Sequence, residues 1–580
     1  MDAIIGTGKI SKREFDIIEE RNIAVTMSDG IKIDIDIFRP DSRKKFPVLM
    51  SIAPFNKEIQ SDRIWPAPTR TRRIRGTPDA SLEVPQIDFF VRRGYVEIIG
   101  SVRGTGKSGG EYQYLSPREI QDTYELIEWA AKQPWSNGNV GMAGLGYYSA
   151  HQPLVAVMQP PSLKAIAAIG TFWDNYRHFW RPGGVLQKGF LRWLVSLVNF
   201  DIHTEKSALE EELGKTKYRA LLEKALADRD FNGAPEIMEA LKNPIQLGNV
   251  NYLDLLLQPM INDYWLKRGS DIDLSRIKVP AYLGGAGHRP SVLYYWPELK
   301  MPKKLTYFPP SYTDRPFYQL SWELLRWFDY WLKNIDTGIM DEPDVKIFIR
   351  GTGEWLMSND FPIPGTRWIP FNLQENMSLC EIEPWPSAGS ASFDDNPDNR
   401  GALKYYSAPM VESMEVVGPV VINLYASCRG VDMILRASIW DIDPEGKETL
   451  LSNGWLRASH RELDKQKSKD WLPVLTHTNP QSLVPGQVYL FKFDIWPIAN
   501  LFKAGHRVML KISSADDPPE NLYEVGHEHL VSQTPNTITV YHSAEHPSHI
   551  LMPITRGNII GTYVSGGDIS LKSREFMKLK

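Results

Sequence analysis

Two neighbouring runs set the fold class: FFVRRGYVEIIGSVRGTGKSGGEY at 89–112 and DTYELIEWAAKQPWSNGNVGMAG at 122–144. Tyr95–Val102 (YVEIIGSV) is apolar along nearly its whole length, as a strand buried on both faces must be. Asn139–Gly146 (NVGMAGLG) repeats that texture. Between them, Pro117–Gln133 spaces its apolar residues for a helix and carries an acidic first half, which suits a helix N-terminus. Working outward, Phe46–Pro54 (FPVLMSIAP) and Leu163–Gly170 (LKAIAAIG) read as further buried strands. Strand, helix and strand in this order predict a parallel sheet covered on both faces.

From about Thr171 the texture changes. Leu186–Phe200 is rich in Leu, Trp and Phe, and Glu205–Leu241 reads as charged amphipathic helices. Strand signal resumes at Val279–Gly284 and Lys304–Phe308, followed by a helix over Tyr318–Trp331. After Asp344 the chain turns to short β-rich runs: 345–349, 420–426, 433–442, 488–495 and 508–514. The expected architecture is an α/β domain with a parallel sheet (1–170 and 276–343), an inserted helical cap (171–275) and a C-terminal β jelly roll (344–580).

The 580 residues are too many for one ordinary core. Lys and Arg total 66 against 70 Asp and Glu, a balance that argues against nucleic-acid binding. Two cysteines, Cys380 and Cys428, make no disulfide framework and suggest a reducing, cytoplasmic setting. The polar Met1–Glu20 does not read as a signal peptide, and no apolar stretch is long enough for a bilayer. Neither a membrane partner nor a cofactor is implied, and a homodimer is left open. His residues lack metal-ligand spacing, so no metal is expected.

Arg103–Gly110 (RGTGKSGG) imitates a phosphate loop, but Ser101 stands where that loop needs glycine, so a tight turn is the better reading. The same region resembles the cocaine esterase / Xaa-Pro dipeptidyl-peptidase (CocE/NonD) family of α/β-hydrolases. VTMSDGIKIDIDIFRP (25–40), DNYRHFWRPGG (174–184), NDYWLKRG (262–269), IKVPAYLGG (277–285), GHRVMLKISSADDP (505–518) and HPSHILMP (546–553) extend the likeness over nearly the whole chain.

The resemblance implies where a serine-hydrolase triad should stand. The nucleophile motif Gly-X-Ser-Tyr falls on Gly144–Tyr147, with Gly146 in place of the serine. The aspartate's place falls at His288 and the histidine's at Tyr312. The oxyanion-hole tyrosine matches Phe55, in Pro54-Phe55-Asn56-Lys57, leaving the Tyr147 N–H as the surviving donor. Four catalytic positions are therefore expected to be replaced together, and no serine-acyl mechanism can pass through Gly146.

Three functions are compatible with this pattern. The first is a non-hydrolytic isomerase, lyase or cyclase (a cycloaddition included) acting on a bulky, largely apolar carbonyl compound. There His288 and Tyr312 would serve as acid–base or hydrogen-bonding pair, in a pocket shaped by Gly146, Tyr147, Phe55, Trp173 and His178. The 18 Trp, 24 Tyr and 22 Phe suit an apolar cleft, although packing accounts for most of them. The second is a hydrolase with relocated residues, through Ser149 with His151 or through water activated by His288. The third is a non-catalytic binding protein. His178 and Arg177 are expected to be structural rather than catalytic while lining the cleft, Asp263 is expected to be structural, and Asp314 reads as a turn residue within reach of orienting a proton donor.

Overall fold

A computed structural model describes residues 9–55, 57, 83–189, 191, 202, 204, 207–243, 251–285, 291–309, 316–384, 389–517 and 528–557. A ten-stranded sheet organises the first part of the chain. Its strands are β1 (Ile17–Thr26), β2 (Lys32–Pro40), β3 (Phe46–Ala53), β4 (Val96–Ser101), β5 (Ser136–Leu145), β6 (Leu163–Ile169), β7 (Ala281–Gly285), β8 (Lys303–Tyr307), β9 (Val345–Ile349) and β10 (Glu354–Ser358). They lie in the order β1-β2-β4-β3-β5-β6-β7-β8-β9-β10. Strands β3 to β9 run parallel, and antiparallel strands close both edges. Parallel strands must be buried on both faces, which is why β3, β4 and β6 are buried almost throughout.

The helix Pro117–Ala131 starts where its sequence provides a cap. Ser116 Oγ accepts the Glu119 N–H at 3.2 Å, and Pro117 occupies the first turn, where no N–H is needed. Its Ile120, Leu126, Ile127 and Ala130 are buried against the sheet. On the other face, the helix Pro316–Lys333 packs Leu324, Leu325, Trp327 and Phe328 into a second core with Leu49, Ala143, Ala165 and Tyr282.

Between β6 and β7 the chain builds the helical insertion, including Ala208–Leu213, Lys215–Leu226, Pro235–Lys242, Asn251–Leu256 and Asp263–Leu266. The C-terminal part is a β-sandwich. One sheet is centred on Met414–Cys428 and Tyr489–Phe502; the other runs Leu403–Tyr406, Arg507–Ser513, Ile434–Ile442, Glu448–Arg457. Val420, Ile422, Leu424, Leu435, Ile439, Phe491 and Phe493 fill the space between them.

One expectation needs correcting. The run at 345–349, expected in the jelly roll, is β9 and pairs with β8; with β10 it completes the ten-stranded sheet. A five-residue apolar run records that it is a strand but not which sheet accepts it.

The insertion and the sandwich are fitted to each other at Arg181-Pro182-Gly183-Gly184. Gly183 has φ +58, and a Cβ there would stand 1.8 Å from the Trp455 carbonyl oxygen. Only glycine allows the cap backbone to lie this close to the strand Glu448–Arg457. The RGTGKSGG segment is a structural turn. Ser108 Oγ donates to the Ser101 carbonyl and accepts the Asp34 N–H, while Arg103 pairs with Asp122. Cys380 and Cys428 are both free. Among the described residues no helix is long and apolar enough to cross a membrane.

Candidate active site

Strand β5 ends at Leu145, and the chain reverses at once into the short helix Tyr147–Ala150. Gly146, at the apex, has φ 61 and ψ −118. That conformation is strained for any residue with a Cβ. It is the sharp strand-to-helix turn on which α/β-hydrolases hold an exposed nucleophile. Here the apex residue carries no side chain.

Phe55, at the end of β3, lies beside the elbow, its ring 6.1 Å from those of both Tyr147 and Tyr148. Two residues on, Lys57 is buried and donates to Asp36 at 2.5 Å and Asn22 at 3.1 Å. Beside the elbow, the Phe55 position presents a phenyl ring.

The Tyr147 side chain turns into the protein. Its hydroxyl donates to Glu119, with the two carboxyl oxygens at 2.8 and 3.0 Å, and accepts the Leu115 N–H at 3.2 Å. Tyr112 approaches it at 3.3 Å. Burial pushes the Glu119 carboxyl up to about 8, so the cluster is held together by a protonated acid at neutral pH.

Ser149 and His151 do not form a relocated dyad. Ser149 is buried, and its Oγ donates to the Gly146 carbonyl at 2.8 Å. His151 is buried as well; its Nδ1–H donates to the Tyr147 carbonyl at 3.1 Å, and burial lowers its pKa to about 4. No hydrogen bond joins the two among the described residues.

Trp173 and His178 fall together. The segment leaving β6 places Trp173 in a stack on Tyr295, centroids 5.3 Å apart. His178 stacks on Tyr294 at 4.9 Å, with its Nδ1 2.6 Å from the Tyr295 hydroxyl. Tyr294 and Tyr295 end the helix Ser291–Tyr295, which follows β7. The Tyr294 hydroxyl donates to Asp494 of the sandwich at 2.5 Å. Hydrolase domain, insertion and sandwich therefore meet at His178. The elbow is tied to the same junction: Thr171 Oγ1 reaches the Ser149 carbonyl at 3.5 Å, and Ser291 Oγ donates to the Thr171 carbonyl at 2.5 Å.

His288 and Tyr312 lie outside the described residues, as does Asp314. Sequence reasoning missed Tyr294, Tyr295, Asp174, Asp494 and Glu119, none of which carries a motif. Arg177 is structural, as expected: it pairs with Asp174 and Asp271 and donates to the Leu475 carbonyl at 2.9 Å. No group of three metal-ligating side chains occurs among the described residues.

An elbow at the end of β5, inside a sheet of this order and below a helical insertion, is the arrangement of an α/β-hydrolase. Family models agree. Residues 29–308 match the X-Pro dipeptidyl-peptidase (S15 family) model, and 337–551 match the X-Pro dipeptidyl-peptidase C-terminal non-catalytic domain. The chain belongs to the X-Pro dipeptidyl-peptidase S15 family of α/β-hydrolases, the CocE/NonD group. It is 25% identical to the cocaine esterase of a Rhodococcus species, over 92% of this chain and 98% of that one. It is 26% identical to a CocE/NonD family hydrolase from Staphylococcus aureus, over 93% of each chain, with a TM-score of 0.76. An α-amino acid ester hydrolase shares the fold, at 18% identity over 95% of this chain and 99% of that one, with a TM-score of 0.69. Against this S15 background, the residue at the apex of the strand-to-helix turn after β5 is a glycine, Gly146.

Proposed function

We propose that this chain is an enzyme that binds a bulky, largely apolar carbonyl compound at the carboxyl ends of β5 to β8 and transforms it without an acyl-enzyme. The reaction class is an isomerisation, lyase reaction or ring closure, a cycloaddition included, in which a shaped pocket orients the substrate and polarises a carbonyl. The observation that carries this reading is Gly146: the elbow's backbone is kept while the atom that would attack is gone. Phe55 beside the elbow and Ser149 bonded to backbone support it. The sequence resemblance counts His288 and Tyr312 onto the acid and base places, and in this reading they are the hydrogen-bonding or proton-moving pair.

Hydrolysis by directly activated water is the second reading, favoured because the Rhodococcus relative is named an esterase and the Staphylococcus protein a hydrolase. Release of 4-nitrophenol from its acetate, butyrate and octanoate esters separates the two. The first reading predicts no release above that of heat-denatured protein. Saturable turnover abolished by His288→Ala establishes the second. Turnover that survives His288→Ala and is abolished by Ser149→Ala contradicts both.

A further inference from the structure

The surroundings of His178 define its protonation state. Tyr295 is buried, and its hydroxyl oxygen accepts the Asp174 backbone N–H at 2.5 Å. A phenol has one proton to give, and among the described residues the one acceptor within reach is His178 Nδ1, at 2.6 Å. Nδ1 therefore accepts, and the imidazole proton sits on Nε2. Burial lowers the His178 pKa to about 4, so the ring is uncharged at neutral pH.

The ring is also fixed in orientation. One face stacks on Tyr294 at 4.9 Å, and Tyr295 meets it edge-on at 5.5 Å. Tyr294 is itself held by Asp494, and Tyr295 by its stack on Trp173. Asp174, whose N–H starts the chain, is anchored by Arg177 at 2.6 Å and Ser270 at 2.9 Å. His178 lies in a π-helical turn, Tyr176–Trp180, a rare conformation that recurs at functional sites. Trp173, Asp174, Tyr294 and Tyr295 are buried, whereas His178 is half-buried, and its Nε2 has no hydrogen-bond partner among the described residues. A packed, oriented imidazole at a three-domain junction, with no partner for its Nε2 among the described residues, is more than a space filler.

We propose that His178 is a fixed, uncharged hydrogen-bond donor of the crevice, its Nε2–H directed to an oxygen of the bound carbonyl compound, with Tyr295 and Asp174 as the positioning residues that hold it in that tautomer. The cap thereby provides a side-chain donor in a site where Phe55 provides none. A neutral donor polarises a carbonyl without protonating it, which suits reactions that build charge on oxygen only transiently. This assignment rests on reading the crevice as the substrate site.

Benzophenone labelled with carbon-13 at its carbonyl serves as the probe, read by the infrared carbonyl band. Bound to the wild-type protein, the band is expected to move to lower frequency. His178→Phe should remove the shift and weaken binding by about tenfold or less, the scale of one hydrogen bond. His178→Gln, which keeps a donor, should restore part of it. Nitrogen-15 spectra of the unmutated protein should show the His178 proton on Nε2, and in Tyr295→Phe that preference should be lost, with a smaller carbonyl shift. Failure of benzophenone to bind, a band indifferent to His178, or a proton on Nδ1 in the wild type would each overturn the assignment. Turnover of any ketone that continues unchanged in His178→Phe sinks this assignment alone. A serine acyl-enzyme found beside an intact, His178-dependent shift sinks the functional reading alone.

Discussion

Ser149 Oγ donates to the carbonyl of Gly146 at 2.8 Å, three residues back along the elbow helix. The serine nearest the apex in sequence thus faces backbone, and the apex has no hydroxyl of its own. Ser149→Ala should cost about 1 kcal/mol of stability, the net worth of one hydrogen bond, and leave the protein's turnover in place. Chemical denaturation and activity on the same preparations test both halves.

Gly146→Ser restores a hydroxyl to the elbow at the cost of strain. With φ at 61, a Cβ there should destabilise the protein by about 1–3 kcal/mol. On the proposed reading the new serine has no histidine–carboxylate pair to activate it, so the variant should gain little or no activity on 4-nitrophenyl esters. Esterase activity approaching that of an ordinary serine hydrolase would mean that a working base and acid are still in place.

Glu119 predicts a particular pH dependence. Its folded-state pKa is raised by burial from the ordinary 4.5 to about 8. The folded protein binds the proton more tightly, so this contribution is complete below pH 4.5 and disappears as pH rises through about 8. Glu119→Gln, neutral throughout and still able to meet the Tyr147 hydroxyl, should flatten the fall in thermal stability between those limits.

The buried His460–His477 pair works in the opposite sense. The two Nδ1 atoms are 3.1 Å apart, so one ring donates to the other and both are neutral. Burial, with Arg457 and Arg181 adding to it, lowers His460 from 6.5 to about 3, and His477 is also depressed. Stability from this pair is present above pH 6.5 and lost as pH falls towards 3. His460→Gln should unfold at a midpoint temperature less sensitive to pH between 6.5 and 4 than the wild type.

Gly183→Ala tests how the insertion is seated. Its Cβ would meet the Trp455 carbonyl at 1.8 Å in a backbone conformation that alanine resists. A loss of roughly 3 kcal/mol or more is expected, read as a lower denaturation midpoint and an altered tryptophan emission.

Much of this fold was legible because buried parallel strands leave unbroken apolar runs: β3, β4 and β6 fall within a residue or two of where those runs place them. Strand β9 was placed with the wrong sheet because pairing partners are chosen by tertiary contacts that a short run does not encode. At the site, Gly146 and Phe55 were legible through motif and order. The His178–Tyr295 contact was not, since it joins residues 117 positions apart through a phenol that no pattern marks. Ser149 and His151 looked suggestive as neighbours, yet a helix turns their polar atoms onto its own carbonyls.

The central claim is that no nucleophilic serine operates in this crevice, and covalent labelling with an alkyl fluorophosphonate tests it most directly. Intact-mass measurement after prolonged exposure should show the unmodified protein under conditions that label a serine esterase completely. A single stoichiometric adduct, mapped to a serine at the carboxyl ends of β5 to β8, would contradict the account.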